Sequence, residues 1–504
     1  MTVDPAIVQQ TLDAFKSAYK SPMADPHLSD LLAKSTFQQN ASPTSGLTFY
    51  DLELGAKFLY PVLTPLRNSI PRVSGKGGIQ ANWRAVTAVN PGAVRAGVSG
   101  GNRGGLIAVQ TTDYTAVYKG LGLEGSVDFE AQYAGMGFDD VRAVAAKALL
   151  ESVMIQEELT ILGGNTSLAL GTTPTPSLTA SSSGGSLATQ TLSVIAVALS
   201  FDAVVNGSVA SGIQAQITRT NADSSVDTFG GGAAQKSANA TVAVTGPNGS
   251  VTATVSSVKG ACGYAWYWGA AGSELLGAIT TINSVAITAA ATGTQTAASL
   301  TASDNSTNAL VFDGLLTQSL KSGSNAYYVA QPTGTAGTGT PLTADGSGGI
   351  VEIDAALKSF WDNYRLSPTS IFVNSQEALN ISKKILSGSS TAAQRFVFQV
   401  EQGVLAGGVM VRSYLNRFSM SGAAEIPVQV HPNLPAGTIL FFTEKLPYPL
   451  SNVGNVAQIR TRQDYYQIEW PLRTRRYEYG VYTDQVLQHY FPPSLGVITN
   501  IGNG

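Results

Sequence analysis

Residues 460 to 482 read RTRQDYYQIEWPLRTRRYEYGVY, which gathers five arginines and three acids, interleaved with tyrosine and tryptophan, in a chain that is only 12% charged. A guanidinium presents a rigid fork of donors that fits a carboxylate or a phosphate, and it also stacks on aromatic faces. In an extended strand side chains alternate, so Arg460, Arg462 and Asp464 would share one face while Arg473 and Arg475 share another. Such a strip could bind nucleic acid, form an internal solvated strand pair, or join one copy of the chain to the next. With Glu469, Arg476 and Glu478 close by, the segment is nearly self-balanced, which favours salt bridges between subunits over a polyphosphate track.

Other chemistry is hard to find. GLGLEG at 120–125 matches a dinucleotide-binding spacing, but a further strand follows where a helix N-terminus would have to hold the pyrophosphate. GVSGG at 97–101 has the spacing of a nucleophile elbow without an apolar strand leading into Ser99 or a helix leaving it. His27, His431 and His489 are scattered singly and read as solvated or packed residues. Glu157 and Glu158 are adjacent on a helix and point about 100° apart, so they read as a solvated face in preference to an acid/base pair. Cys262 stands alone, with no disulfide or thiolate metal partner. The expectation is no catalytic residue, no cofactor and no metal.

Composition narrows the class. A chain of 504 residues implies two to four domains. The 53 glycines and 22 prolines among 43% hydrophobic residues describe an ordered, loop-rich, β-rich protein. A net charge of −3 gives no global attraction to nucleic acid or an acidic membrane. No window is apolar enough to span a bilayer, and the first twenty residues lack the basic start and apolar core of a signal peptide.

The elements that must position the strip follow from periodicity. Ile7, Leu12, Phe15 and Tyr19 suggest a short amphipathic helix in an N-terminal arm, 1–48. IQANWRAV and SVDFEA alternate as strands about the glycine-rich tip GVSGGNRGG, an extended two-stranded loop over about 85–115 that carries Arg95 and Arg103. Val141, Ala145, Ala148, Ser152, Ile155, Leu159 and Leu162 predict a long helix over about 139–162, stopped by Gly163 and Gly164. Residues 171–308 change to Ala, Thr, Ser, Val and Gly and read as an inserted β-sandwich. There ATVAVTGPNGSVTATVSSV predicts a hairpin turning at Asn248 and Gly249. Trp266 and Trp268, in GYAWYWG, read as core anchors, with a glycan platform as the alternative. Residues 309–445 return to a mixed pattern: Ile353, Leu357, Phe360, Trp361 and Tyr364 form a helical stripe, SIFV a buried strand, and Asn374 with Glu377 a capping box. Strands resume over 446–504, so the predicted class is α+β, with the sandwich interrupting another domain.

This order of parts, with MIQEELTILGGN closing the long helix and RTRQDYYQIEWPLRTRRYEYGVYTDQVL in the final strand block, resembles the major capsid proteins of tailed bacteriophages, the Hong Kong 97-like fold. The resemblance covers about 45–170 and 310–502. It implies a peripheral domain (49–170 and 446–504) holding the spine helix, an axial domain (309–445), and an extended loop reaching over a neighbour. The inserted sandwich resembles immunoglobulin-like or fibronectin-like modules. The implied function is self-assembly into hexamers and pentamers of an icosahedral virion head enclosing double-stranded DNA, contacted non-specifically. A scaffolding protein, a portal and decoration proteins are the implied partners, with no membrane. The same fold forms encapsulin shells, and from another class a β-rich surface adhesin or carbohydrate-binding protein is the alternative. Some family members cross-link through a loop lysine; residues 85–115 contain none, which implies a non-covalent shell. The subunit-contact candidates are Arg95, Arg103, Arg460, Arg462, Asp464, Glu469, Arg473, Arg475, Arg476 and Glu478.

Overall fold

The structure is a computed structural model that describes residues 62–89, 100, 101, 106, 108–136, 140–221, 224–300, 302–387, 411–420 and 424–504. The N-terminal arm with His27, the loop tip with Arg95, Ser99 and Arg103, and Asp139 lie outside the described residues. Residues 60–132 and 141–504 form one compact unit, to which everything below belongs unless stated.

In chain order, helix α1 (Pro65–Ser69) leads into strands β1 (Arg72–Ser74), β2 (Gln80–Val89), β3 (Val109–Val117) and β4 (Lys119–Asp128). Helix α2 (Phe129–Gly135) and the long helix α3 (Val141–Gly163) follow. The inserted region carries β5 (Ser177–Ser181), β6 (Gln190–Leu199), helix α4 (Phe201–Asn206), β7 (Gln216–Thr220), β8 (Val226–Gly230), β9 (Ala240–Val244), β10 (Ser250–Thr254), β11 (Gly263–Gly269), β12 (Leu275–Thr280) and β13 (Ser284–Ile287). Next come α5 (Leu315–Leu320), β14 (Tyr327–Ala330), α6 (Val351–Tyr364), β15 (Ser370–Val373) and α7 (Ser375–Ser387). The chain closes with β16 (Ser413–Asn416), β17 (Ala424–Val430), β18 (Ile439–Phe442), β19 (Ala457–Glu469), β20 (Arg476–His489) and β21 (Gly496–Thr499). The class is α+β, as predicted.

Three layers carry the architecture. A four-stranded sheet, β1-β19-β20-β4, supports α3, whose buried end meets α1 and α5. A six-stranded sheet, β14-β21-β18-β15-β17-β16, is packed by Ile353, Leu357 and Phe360 of α6, the predicted stripe, against Ile371, Val373 and Phe441. The last strand, β21, pairs with β14 and β18 in this second sheet. The sandwich closes β13-β10-β5 over β12-β11-β6-β9 around Trp266, Val251, Ala253 and Ile287.

The sandwich is held at two places. At its neck the two ends of the insertion meet: the Gly171 N–H donates to Asp304 Oδ2 (2.7 Å), the Leu170 N–H to Ser306 Oγ (2.9 Å), and the Asn308 N–H to the Asn165 carbonyl (2.7 Å). Besides the neck, the Asn283 N–H donates to Asn500 Oδ1 (2.7 Å), and the Gly337 N–H to Ser284 Oγ (2.9 Å).

Three predicted local features differ. The 240–255 segment is not a hairpin: β9 pairs with β6, while β10 pairs with β5 and β13 in the opposite sheet. Val244, Val251 and Ala253 are buried, so the two strands meet face to face across the core, where edge pairing would have left one apolar face in water. The positive φ in the connection belongs to Gly246 (85°) and not to Asn248 or Gly249. The return strand of the long loop is β3, paired in antiparallel register with β2, and not SVDFEA; β4 joins the β20 edge and Phe129 already begins α2. In the capping box, Asn374 Oδ1 accepts the Gln376 N–H (3.0 Å) as a cap should, but Glu377 turns to the Gly437 N–H (3.2 Å).

Candidate functional site

The arginine strip occupies β19, the turn after it, and the start of β20. Two register shifts, at Thr461/Gln463 and Gln463/Tyr466, interrupt the alternation that would have put Arg460, Arg462 and Asp464 on one face. Arg460 donates to Gln488 (3.4 Å) and Arg462 pairs with Asp484 (2.7 Å), both partners lying on β20. Asp464, at the second shift, instead meets Arg72 of β1 (2.5 Å). Further out, Glu469 meets Arg142 of α3 (3.1 Å), Arg475 meets Glu130 (3.0 Å) and Arg476 meets Asp128 (3.2 Å). Arg473 and Glu478 make no ion pair among the described residues. Between these charges Tyr466 and Trp470 flank the Tyr482 ring (5.9 and 6.1 Å between centroids). Gly122 and Gly480 make room for that ring, since a Cβ at either would lie 2.1 or 2.5 Å from it.

The densest polar cluster is built on two carboxylates expected on a solvated helix face. Glu157 and Glu158 are both fully buried at the inner end of α3. Glu157 accepts from Arg67 Nε (2.8 Å), from Arg72 Nη1 and from the Tyr465 hydroxyl. Glu158 accepts the N–H groups of Leu66 (2.9 Å) and Arg67 (2.7 Å), and it faces His431 Nε2 at 2.7 Å. Because His431 Nδ1 accepts the Asn433 N–H (3.2 Å), the ring proton sits on Nε2 and points at Glu158, so a neutral imidazole satisfies both partners. Thr64 makes no side-chain cap on α1, and Glu158 supplies its first-turn amides from another helix in its place.

Every carboxylate oxygen in this cluster is engaged, so no substrate proton has a free base to go to. Its physical effect is to tie α1, β1, α3, β19 and the segment after β17 into one body. Burial, reinforced by the Glu157 charge, pushes the Tyr465 hydroxyl up to about 12, so it stays a donor at any physiological pH. Burial opposes the charge on Arg72, but its bonds to Asp464 and Glu157 outweigh that and raise it above its ordinary value. Asp464 is correspondingly held low: its partial burial is overcome by Arg72. Both guanidinium groups also sit over the Tyr465 ring, at 5.3 and 4.9 Å.

The pair could have been found in the sequence. Val153, Ile161 and Leu162 are buried, and a 3.6-residue period through them passes through 157 and 158. The expected stripe through Ala148, Ser152, Ile155 and Leu159 was rotated away from this face. Among the described residues no group of three or more His, Cys, Asp or Glu could hold a metal ion, and no helix is long and apolar enough to cross a membrane. Trp266 is fully buried and its Nε1–H donates to Thr280 Oγ1 (2.8 Å), while the Trp268 Nε1–H donates to the Ala289 carbonyl (3.0 Å). Both are core anchors, as expected.

No protein-family model matches the sequence, and no curated protein does. Solved structures similar to this chain include the capsid of a native GTA particle, at 10% identity over 90% of this chain and 96% of that one, with a TM-score of 0.40. The capsid of Myoviridae phage XM1 is similar at 10% identity over 89% and 95%, with a TM-score of 0.38. The holo-SrpI encapsulin complex from Synechococcus elongatus is similar at 10% identity over 96% and 97%, with a TM-score of 0.32.

Proposed function

We propose that this chain is the major capsid protein of a tailed bacteriophage with the Hong Kong 97-like fold, a structural protein that works as hexamers and pentamers of an icosahedral head around double-stranded DNA. The observation that carries the reading is the β2–β3 ribbon. β3 is exposed along nearly its whole length, and Ile79, Val86, Val109 and Val117 stand in solvent on or beside the two strands. An isolated two-stranded ribbon is marginal in water, and one that displays apolar side chains needs a surface to lie on. A second copy of the chain supplies such a surface in a closed shell, where many weak contacts act together. The element order supports the same reading: extended loop, long helix on a sheet, second sheet, and final strands returning to the first. The non-enzymatic character, virion location, scaffolding, portal and decoration partners, and non-specific contact with packaged DNA belong to this proposal.

Within the strip, Arg473 and Glu478 are the contacts left to offer a neighbour, since the other described candidates already have partners in their own subunit. The adhesin alternative loses its motive, because the sandwich tryptophans that would have formed a glycan platform are in the core. An encapsulin-like shell makes the same subunit contacts, and the presence of DNA and a tail in particles separates it from a phage head.

The test is negative-stain microscopy and size-exclusion chromatography of the wild type, co-expressed with its assembly partners, beside Val86→Glu and Val117→Glu variants. Wild-type capsomers or closed shells, with both variants folded but unassembled, support the reading. A wild type that stays at its 52.3 kDa monomer mass under all conditions refutes it. On a boiled denaturing gel, mature particles should run as monomer without ladders.

A further inference from the structure

A cavity of about 520 Å3 opens between the base of the β2–β3 ribbon, α5 and the loop after it, and the end of β20. That volume is in the range of sites that enclose a small organic group. Much of its wall is aromatic: Trp83 and Tyr114 stack at 5.8 Å between centroids, and Tyr490 meets Trp83 edge-on at 5.9 Å. The strip, the buried glutamates and the ribbon's exposed valines do not account for it.

The charges around this cavity do not balance. Its lining holds two ammonium groups, Lys119 and Lys321, against one carboxylate, Asp313. The Asp313 carboxylate is already engaged: it accepts the Thr166 and Ser167 N–H groups (3.0 and 3.1 Å) and the Ser167 hydroxyl (2.6 Å), with Lys321 Nζ at 3.7 Å. Lys119 meets no carboxylate among the described residues, and its Nζ donates to the Ala309 carbonyl (2.5 Å), a neutral acceptor. An ammonium has three N–H donors, so two remain and the charge is unanswered. His489, buried in the same wall, is driven down to about 3 by its burial and by Lys321 nearby, so it adds no charge at neutral pH. One positive charge is left in excess beside an aromatic wall.

We propose that this cavity binds an organic monoanion, a carboxylate carried on an aromatic group, with the ring against the Trp83, Tyr114 and Tyr490 wall and the charge answered by Lys119. Where water is partly excluded, an ammonium without a counter-charge is costly and a charge-assisted hydrogen bond is strong, so an anion gains more here than a neutral ligand of the same shape. The bond to the Ala309 carbonyl already holds the ammonium, which reduces the side-chain freedom lost on binding. Only one positive charge is in excess, so a dianion would bring a second charge with nothing to meet it. A small inorganic anion would leave the rings without a partner. The same carboxylate chemistry can arrive on a free small molecule or at the end of a polypeptide. The site stands independently of the self-assembly reading.

Ligand-observed NMR titration of the whole chain tests it, with benzoate, benzamide, benzylammonium, acetate and N-acetylphenylalanine as probes. Benzoate should bind about tenfold or more tighter than benzamide or acetate, and benzylammonium should not bind. Tighter binding of N-acetylphenylalanine than of benzoate assigns the carboxylate to a polypeptide end, and the reverse order assigns it to a free small molecule. In Lys119→Met, which keeps an apolar stem and removes the charge, benzoate should weaken to the affinity of benzamide while benzamide itself is unchanged. The wild-type comparison decides even where that variant does not fold. Benzamide binding as tightly as benzoate, no binding by any probe, or a benzoate preference that survives Lys119→Met would overturn the assignment.

Discussion

The two ends of β19 and β20 use the same residue types to opposite effect. At the inner end Arg67 and Arg72 meet Glu157 out of water, with Glu158 and His431 beside them, and the groups are wholly or largely buried. At the outer end Arg475–Glu130 and Arg476–Asp128 are pairs in which each side chain is at least half exposed. Solvent screens the outer pairs and lets them exchange partners cheaply, whereas the inner groups have no alternative partner. One end is a fixed joint, and the other is a solvent-screened surface whose charges can exchange partners.

The comparison breaks most sharply at Glu158. Glu158→Ala strands the His431 ring and two helix amides, and it should lower the free energy of unfolding by about 3–5 kcal/mol in chemical denaturation. If the loss is no larger than at the outer pairs, the contrast fails. Acid comes next. His489 has its folded-state pKa depressed to about 3, so above its unfolded value near 6.5 both states are neutral and stability is flat. Between pH 6.5 and 3 the unfolded chain binds the extra proton, so stability should fall by about 1.4 kcal/mol per pH unit as pH drops. Asp464, also depressed, adds a loss of the same sign below its ordinary range as Arg72 loses its partner. Unfolding followed across that range in wild type and His489→Leu should show the slope in the first and a flatter profile in the second. Tyr465→Phe, which removes one donor to Glu157, should cost about 1–3 kcal/mol. Arg475→Ala should cost less than about 1 kcal/mol in the isolated chain, while Arg473→Ala, with no ion-pair partner among the described residues, should leave isolated-chain stability unchanged and slow the self-assembly proposed above. Equal stability and equal assembly rates for Arg473→Ala would remove it from the contact set.

What the sequence made legible divides along the same line. The long helix, the α6 stripe, the SIFV strand, the sandwich strands and the burial of Trp266 all follow from local period, because the pattern that forms each element is contained in it. Partner choice is not local. β9 and β10 each alternate correctly, yet which strand each pairs with depends on which face must be covered, and the glycine-bearing turn looked like a hairpin for that reason. The buried glutamates were lost for a related cause. Charge argued for solvent, while the arginines, the tyrosine and the histidine that neutralise them lie about 90, 300 and 270 residues away in the chain. Strand alternation likewise predicted one face for Arg460, Arg462 and Asp464, and two irregularities in register undid it.

The inserted sandwich is tied both where its two ends meet and again through the turn that carries Asn283 and Ser284. A module hung from a single stem would swivel; one whose stem is braced by a second set of hydrogen bonds has its heading dictated by the body that carries it. Whatever its loops present is therefore presented at one fixed angle to the two sheets that carry it.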